Sequence, residues 1–358
     1  MSDVIIVGAG VVGLSTALAI AEESTRDHSI TVASEHSPEV NPYSPHYTSS
    51  WAGAHFRPFP SKDRHELKDY PLARTTLLKF KDLSRDHPES SIEFVKGVEY
   101  FETPDSKYKS FAEGWRESVE NFRVLDQSEI PEGCVLGVEY DTFVVNAPLY
   151  LQFLYRTLKF KHGVNFVLAK LSSLEEITKL HGVEGRKPVI INCTGQGLQW
   201  GGGYDKDCFS IRGQTLLINA PNIPKNTKFT VTHQLNDGLW TFYIPRPLYG
   251  GVILGGTKQP HDTYPEPRDE ETEALKQRGA RLFPELMRTD ASGNKFFDVV
   301  RVNVGFRPAR KGGVNISESH HDGYRVINGY GCGGSGYEFS WGVAMRVVHL
   351  LDTSVSKF

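Results

Sequence analysis

Val4-Ile5-Ile6-Val7-Gly8-Ala9-Gly10-Val11-Val12-Gly13 is the stretch on which the fold turns. Residues 4–8 are a continuous apolar run, the pattern of a central parallel strand buried on both faces. The turn Gly8-x-Gly10-x-x-Gly13 follows, and residues 11–23 carry small and apolar side chains at helical spacing. In such a strand–turn–helix the first glycine makes the tight turn. The second lets the backbone approach a pyrophosphate, and the third lets the helix pack on the sheet. The helix start offers amide N–H groups and a positive dipole end to an anion. Ile30-Thr31-Val32-Ala33 is short and β-branched and reads as the second strand of a βαβ unit. Glu35 lies 22 residues beyond Gly13, next to Ser34 at the end of that strand, where it suits a ribose hydroxyl. Gly8, Ala9, Gly10, Val11, Val12 and Gly13, with Ser34 and Glu35, are the expected dinucleotide contacts of this unit.

The 358 residues exceed one ordinary core and suffice for two interleaved domains. The net charge of −3, with Lys and Arg spread along the chain, predicts no sequence-independent affinity for nucleic acid. Cys134, Cys193, Cys208 and Cys332 stand far apart, with no C-x-x-C pair and no metal-ligand spacing, and read as reduced intracellular thiols. The only long apolar run, Val4 to Ala21, has no basic segment before it and is interrupted by three glycines. It reads as strand plus helix rather than as a signal peptide or membrane span, so no membrane association is expected.

Further along, residues 36–62 form a long Pro-, Ser- and Gly-rich loop, and loops of that length in compact domains are usually functional. Residues 65–85 are helical in pattern, and residues 92–140 read as short strands with charged connections. A helix is expected over 148–159, strands over 209–258, and helices over 267–288 and 339–352. Pro188-Val189-Ile190-Ile191-Asn192-Cys193-Thr194-Gly195 is a second buried strand ending in a small-residue turn, and Tyr324-Arg325-Val326-Ile327-Asn328 is a third. The layout is therefore α/β and discontinuous. Residues 1–60, 141–200 and 300–358 are assigned to a dinucleotide domain, and residues 61–140 and 201–299 to an antiparallel substrate domain.

The last strand runs into Gly329-Tyr330-Gly331-Cys332-Gly333-Gly334-Ser335-Gly336, a second glycine run just before a helix. Such a run permits close backbone approach to a flat ring. Together with Tyr47-Thr48-Ser49-Ser50-Trp51-Ala52-Gly53-Ala54, Ile211-Arg212-Gly213-Gln214-Thr215 and Val304-Gly305-Phe306-Arg307-Pro308-Ala309-Arg310, it gives the chain a resemblance to D-amino-acid oxidases, especially the fungal members. That family of flavoproteins includes the D-aspartate oxidases.

The resemblance implies a Rossmann-type FAD-binding domain plus an antiparallel-sheet substrate domain, with FAD as cofactor. It adds Thr48, Ser49, Ala52, Gly53 and Ala54 to the cofactor contacts. Leu171, Gly195 and Arg307 join them, as do Gly333, Gly334, Ser335, Gly336, Tyr337, Glu338 and Phe339. It makes Arg307 the grip on the substrate α-carboxylate, for which a guanidinium supplies a planar two-pronged match. It sets the Gly334 carbonyl toward the substrate amine. Phe242 stands where many members carry a tyrosine, a departure that removes a hydroxyl unless Tyr243 replaces it. Lys258 stands where neutral-substrate oxidases usually carry an aromatic or aliphatic residue and D-aspartate oxidases an arginine. A cation there would pair with a side-chain carboxylate. His55 stands where yeast neutral-substrate enzymes often carry asparagine, and Arg57 and His233 are further candidates to face the pocket.

The expected reaction is hydride transfer from the substrate Cα–H to the flavin, with no side chain needed as a strong base. It would yield a 2-oxo acid, ammonia and, through dioxygen, hydrogen peroxide. Acidic D-amino acids are the expected substrates, and neutral ones such as D-alanine the alternative. A NAD-dependent dehydrogenase and a non-catalytic flavoprotein are remoter readings. Ser356-Lys357-Phe358 resembles the peroxisomal address Ser-Lys-Leu, which would make an import receptor a partner and the peroxisomal matrix the location. A homo-oligomer is left open.

Overall fold

The computed structural model describes residues 2–61, 67–180, 187–220 and 229–353. Ser356-Lys357-Phe358 lies outside them, as does the start of the helix expected from residue 65. The strands are β1 (Ser2–Val7), β2 (His28–Ser34), β3 (Ile92–Phe101), β4 (Glu120–Val124), β5 (Leu136–Val145), β6 (Asn165–Leu168), β7 (Val189–Asn192), β8 (Cys208–Asn219) and β9 (Phe229–Gln234). They continue as β10 (Trp240–Pro245), β11 (Val252–Gly255), β12 (Gln259–Pro260), β13 (Arg288–Thr289), β14 (Lys295–Phe296), β15 (Asp298–Arg310), β16 (Asn315–His321) and β17 (Tyr324–Tyr330). The helices are α1 (Val11–Glu23), α2 (Tyr70–Asp86), α3 (Ser106–Lys109), α4 (Ala147–Arg156), α5 (Asp269–Leu282) and α6 (Gly336–Thr353).

The three buried strands read from the sequence are neighbours in space. A six-stranded sheet runs β16-β17-β7-β1-β2-β6. β1 pairs in parallel with β2 and β7, and β7 with β17. Only β16 runs antiparallel, as the return arm of a hairpin. Val4 and Ile6 are fully buried on one face, under α1 and α6, while Ile5 and Val7 belong to a cluster on the other. Both faces are thus covered, and that is why the strands read as unbroken apolar runs. No helix among the described residues is long and apolar enough to cross a membrane.

A nine-stranded sheet follows the path β12-β8-β11-β10-β9-β3-β5-β4, with β15 along the other side of β8. Residues 92–140, expected as short strands, hold two ten-residue strands that pair from Ile92↔Val145 to Phe101↔Leu136.

Two segments cross the expected domain boundaries. α2, assigned by sequence to the substrate domain, packs on α6 beside the smaller sheet. Its apolar face (Leu72, Ala73, Leu77, Phe80 and Leu83) enters the core of that sheet. Burial of each large side chain contributes roughly 1.5–3 kcal/mol. The Thr76 hydroxyl accepts from Trp341 N and Gly342 N, both at 3.2 Å. Gly342 lets the two backbones meet, since a Cβ there would fall on the backbone of Leu72. β15, assigned to the dinucleotide domain, instead pairs with β8 from Asp298↔Asn219 to Arg310↔Cys208. A ladder that long decides where residues 298–310 belong. The end of β5, residues 141–145, also lies in the larger sheet.

Candidate active site

A cleft of about 1190 Å³ opens between the two sheets. Its floor on one side is the carboxyl ends of β1, β2, β7 and β17, and α1 and α6 both begin at it. β1 is where the parallel sheet changes direction of growth, since later strands add on opposite sides of it. Open α/β sheets bind ligands at such switch points. The volume exceeds that of ordinary small-ligand pockets, about 300–1,000 Å³.

The dinucleotide end is lined by Gly8, Ala9, Gly10, Val11 and Val12, with Ser34 and Glu35 at the end of β2. Gly8 has φ +107°, and a Cβ there would strike the Cys193 carbonyl. Residues 47–54 close over this turn through specific bonds. The Tyr47 hydroxyl donates to Ala9 O at 2.6 Å, and the Val11 amide donates to Ser49 Oγ at 3.0 Å. Tyr337, in the first turn of α6, donates to Ser49 O at 2.9 Å. Thr48, Ser49, Ala52, Gly53 and Ala54 all line the cleft, as do Leu171, Gly195 and residues 333–338. Lys170 takes one oxygen of Glu35 at 2.9 Å. A glycine cradle, two helix N-termini and an acidic residue at the end of β2 are the features that FAD requires, and this chain provides them. Two expected contacts lie elsewhere. Gly13 sits beneath the turn, where a Cβ would fall on the Gly8 carbonyl oxygen, so it serves helix–sheet packing. Phe339 is buried in the apolar core beside α1, because the helix turn that presents Glu338 to the cleft turns the next residue away.

The substrate end is the inner face of the larger sheet, and strand alternation sorts the candidates. On β10, Trp240, Phe242 and Ile244 face the cleft. Tyr243 therefore points to the other face, 5.0 Å from the Phe283 ring, and does not replace the hydroxyl that Phe242 lacks. His233 also faces away, hydrogen-bonded to Glu102 at 3.1 Å. On β8, Gly213 faces the cleft, while fully buried Arg212 turns back to Glu271 at 2.7 Å. The Arg–Gly pair thus anchors the sheet on one side and opens space on the other. Arg307 fills that space, for a Cβ on Gly213 would collide with its guanidinium.

Arg307 donates from Nη1 to Thr257 O at 3.2 Å, and among the described residues no carboxylate pairs with it. Burial pushes its pKa down. Gly334 faces it across the cleft, its Cβ position 3.7 Å from Arg307 Cδ. Lys258 lines the rim and is exposed. The Nδ1 of His55 lies 2.8 Å from Thr230 Oγ1, and that hydroxyl donates to Tyr243 O at 3.0 Å. The hydroxyl proton is therefore committed, and Nδ1 must carry the imidazole proton, leaving Nε2 an acceptor. Burial, helped by the Arg57 charge, pushes His55 down to about 3, so it stays neutral.

Glu338 is the titrating group of the site. Burial raises its carboxyl to about 7, against the opposing hydrogen bonds of Ser335 and the Arg57 amide. A carboxyl whose folded pKa exceeds its unfolded one binds its proton more tightly when folded. The stability this confers is complete below the ordinary glutamate value and is lost as pH rises to about 7. The loss amounts to at most about 3 kcal/mol. Glu338→Gln should therefore raise the melting temperature of the apoprotein by a few degrees at pH 8 and hardly change it at pH 5. Equal shifts at the two pH values in a thermal scan would contradict this.

Sequence reasoning missed the supports of the site. Arg246 is buried and holds residues 50–54 by donating to the carbonyls of Gly53 at 2.8 Å and Ala52 at 2.6 Å. Glu99 is fully buried and pairs with Arg57 at 3.1 Å. Trp240 lies under the Arg57 guanidinium, 4.4 Å from ring centroid to Cζ. Glu99 shares its strand with Glu93 and Lys96, so nothing local marked it as one half of a buried pair.

The sequence matches the family described as FAD dependent oxidoreductase over residues 3–350. It is 38% identical to a D-aspartate oxidase of Talaromyces thermophilus, covering 99% of this chain and 96% of that one. It is 33% identical to a D-amino-acid oxidase of Schizosaccharomyces pombe, covering 97% and 95%. Glycine oxidase from Bacillus cereus shares the fold at a TM-score of 0.72 and 16% identity, covering 99% of this chain and 96% of that one.

Proposed function

The chain belongs to the FAD-dependent oxidoreductase family, within its D-amino-acid oxidase group, and from that premise we propose that it oxidatively deaminates D-amino acids, with acidic ones preferred. The observation that carries the reading is Arg307, a recessed guanidinium with no carboxylate partner among the described residues, set above a glycine that leaves room for it. A half-buried cation of that kind lacks its partner until a carboxylate arrives. FAD, when bound along the glycine cradle, supplies the two-electron acceptor.

The residues of this chain orient and desolvate. Arg307 takes the α-carboxylate, and the Gly334 carbonyl accepts from the amine. Phe242 and Ile253 keep water from the Cα–H. His55 stays neutral and adds no charge near the amine. Lys258 at the rim attracts a side-chain carboxylate. Release of peroxide, together with Ser356-Lys357-Phe358, supports a peroxisomal matrix location, which imaging of the chain with and without that tripeptide checks.

Anaerobic mixing with D-aspartate, D-glutamate, D-alanine and D-methionine tests the substrate reading. D-Aspartate should bleach the flavin at least tenfold more efficiently than D-alanine, and faster reduction by the neutral pair would sink the acidic preference. An exposed ion pair contributes about 0.2–1 kcal/mol. Lys258→Met should accordingly lower the ratio of kcat/KM for D-aspartate over D-alanine by only about two- to fivefold.

A further inference from the structure

Lys258 is too exposed a point charge, on a flexible stem, to account for strong selection of an acidic side chain. A better-held cation stands in the same cleft. Arg57 lines it, with only 26% of its side chain exposed. Its guanidinium is fixed from two directions, by Glu99 Oε2 at 3.1 Å and by the face of Trp240 at 4.4 Å. The carboxylate of Glu99 is itself held. Its other oxygen accepts from the Tyr140 hydroxyl at 3.0 Å and from Trp115 Nε1 at 3.4 Å. Glu99 takes one N–H of Arg57 and the Tyr108 hydroxyl another, and a guanidinium has five.

The strand register places this cation relative to Arg307. Phe242 on β10 pairs with Gly255, and Gly255 pairs with Thr215 on β8. β10 and β8 run in the same direction, so two residues back along each brings Trp240 level with Gly213. Arg57 sits over Trp240, and Arg307 sits over Gly213. Two strand spacings separate those positions, about 10 Å. A four-carbon dicarboxylate gripped by a guanidinium at each end spans about 11 Å between the guanidinium carbons. Phe242 lines the cleft beside this line, flat and apolar, next to where the linking carbons would lie.

We propose that Arg57, positioned by Glu99 and stacked on Trp240, is the residue that binds the distal carboxylate of a four-carbon acidic substrate, with Lys258 only steering at the rim. This rests on the acidic reading above and sharpens it from "acidic" to a stated chain length. A neutral side chain leaves Arg57 facing an apolar group and gains nothing from it. A longer diacid overshoots the span unless it bends.

The test uses the holoenzyme. In the wild type, perturbation of flavin absorbance by propionate, malonate, succinate and glutarate measures binding without turnover. Succinate should bind best, about tenfold tighter than propionate. Arg57→Gln alone strands a buried carboxylate and risks misfolding, so Arg57→Gln/Glu99→Gln is compared with it. The double variant should remain yellow and lower the D-aspartate over D-alanine ratio by about 30- to 100-fold, chiefly through KM for D-aspartate, and the single variant, where it folds, should show the same loss. Arg57→Lys should recover only part of that ratio. A double variant that keeps the wild-type preference for D-aspartate overturns the assignment of Arg57. A wild type that binds succinate no better than propionate removes the acidic reading itself.

Discussion

Arg307→Met should abolish most turnover, lowering kcat/KM for D-aspartate by about 10³-fold, while leaving the apoprotein as stable as the wild type or more so. The two halves of this expectation have one cause. The Arg307 guanidinium makes a single hydrogen bond, to Thr257 O, and has no carboxylate partner among the described residues. Burial lowers its pKa with no compensating charge. A desolvated cation without a counter-ion weakens the fold, and replacing it with an apolar side chain of similar length relieves that cost. The substrate carboxylate is the missing partner. Removing one member of a desolvated, hydrogen-bonded charge pair costs about 2–5 kcal/mol of binding. Orientation of the Cα–H is lost with it, so kcat should fall as well as KM rise. Arg307→Lys restores charge but not the planar fork and should still lose about 10²-fold. Peroxide release and a thermal scan of the same preparations check both halves. An Arg307→Met enzyme with a tenth of wild-type kcat/KM, or with a melting point several degrees lower, contradicts this account of the site.

Much of this arrangement was legible in the sequence, and the reasons are physical. β1 and β7 lie in the interior of a covered parallel sheet, so their apolar runs are easy to read, while β17 shows the pattern only at Val326-Ile327. The glycines at 8, 10 and 13 and at 333–336 mark places where backbone must come close to something. Arg307 stood out because its neighbours Gly305 and Pro308 fix a motif around it. What the sequence left open was register and distance. Phe242 and Tyr243 are adjacent on a strand, so only one could face the cleft, and pairing with Thr232 and Gly255 chose Phe242. Arg57 and Glu99 are 42 residues apart and meet because residues 54–56 bond along the end of β5, which pairs with β3. Glu99 is a charged residue that the sequence did not single out, and it is fully buried because Arg57, Tyr140 and Trp115 satisfy it. The expected boundaries separate α2 and β15 from the sheets they pack on for the same reason. Their sequences state amphipathic helix and strand, and nothing local states which sheet will cover them.

Gly13→Ala and Gly10→Ala, three residues apart in one motif, should fail in different ways. Gly13 lies inside α1, where alanine is favoured over glycine by about 1 kcal/mol of helix propensity. Propensity alone predicts stabilisation. The geometry opposes it, because the new Cβ would overlap the Gly8 carbonyl oxygen. That oxygen belongs to backbone that cannot retreat. Gly8 is held at φ +107°, its amide donates to Ala33 O at 2.9 Å, and Cys193 N donates to the adjoining Val7 O at 2.9 Å. Overpacking against a fixed neighbour costs about 1–3 kcal/mol and more where no rotamer can yield. The clash therefore wins, and Gly13→Ala should lose roughly 2–3 kcal/mol net, with FAD lost as a consequence of the displaced helix. Gly10 has an ordinary φ of −73°, and its Cβ would meet only the Ser49 hydroxyl, at 3.0 Å. The Ser49 oxygen need give by only a few tenths of an ångström, stretching its bond from Val11 N, so the Gly10→Ala apoprotein should stay within about 1 kcal/mol of wild type. Its methyl instead stands where the pyrophosphate must approach, and FAD should bind at least tenfold more weakly, a change of about 1.4 kcal/mol. Calorimetry of the two apoproteins and flavin retained after ultrafiltration separate the cases. If both variants lose stability equally, the turn is a packing device at each glycine and the cofactor role of Gly10 is wrong. If Gly13→Ala melts at or above the wild-type temperature, the contact between α1 and the β1 turn is looser than the structure places it.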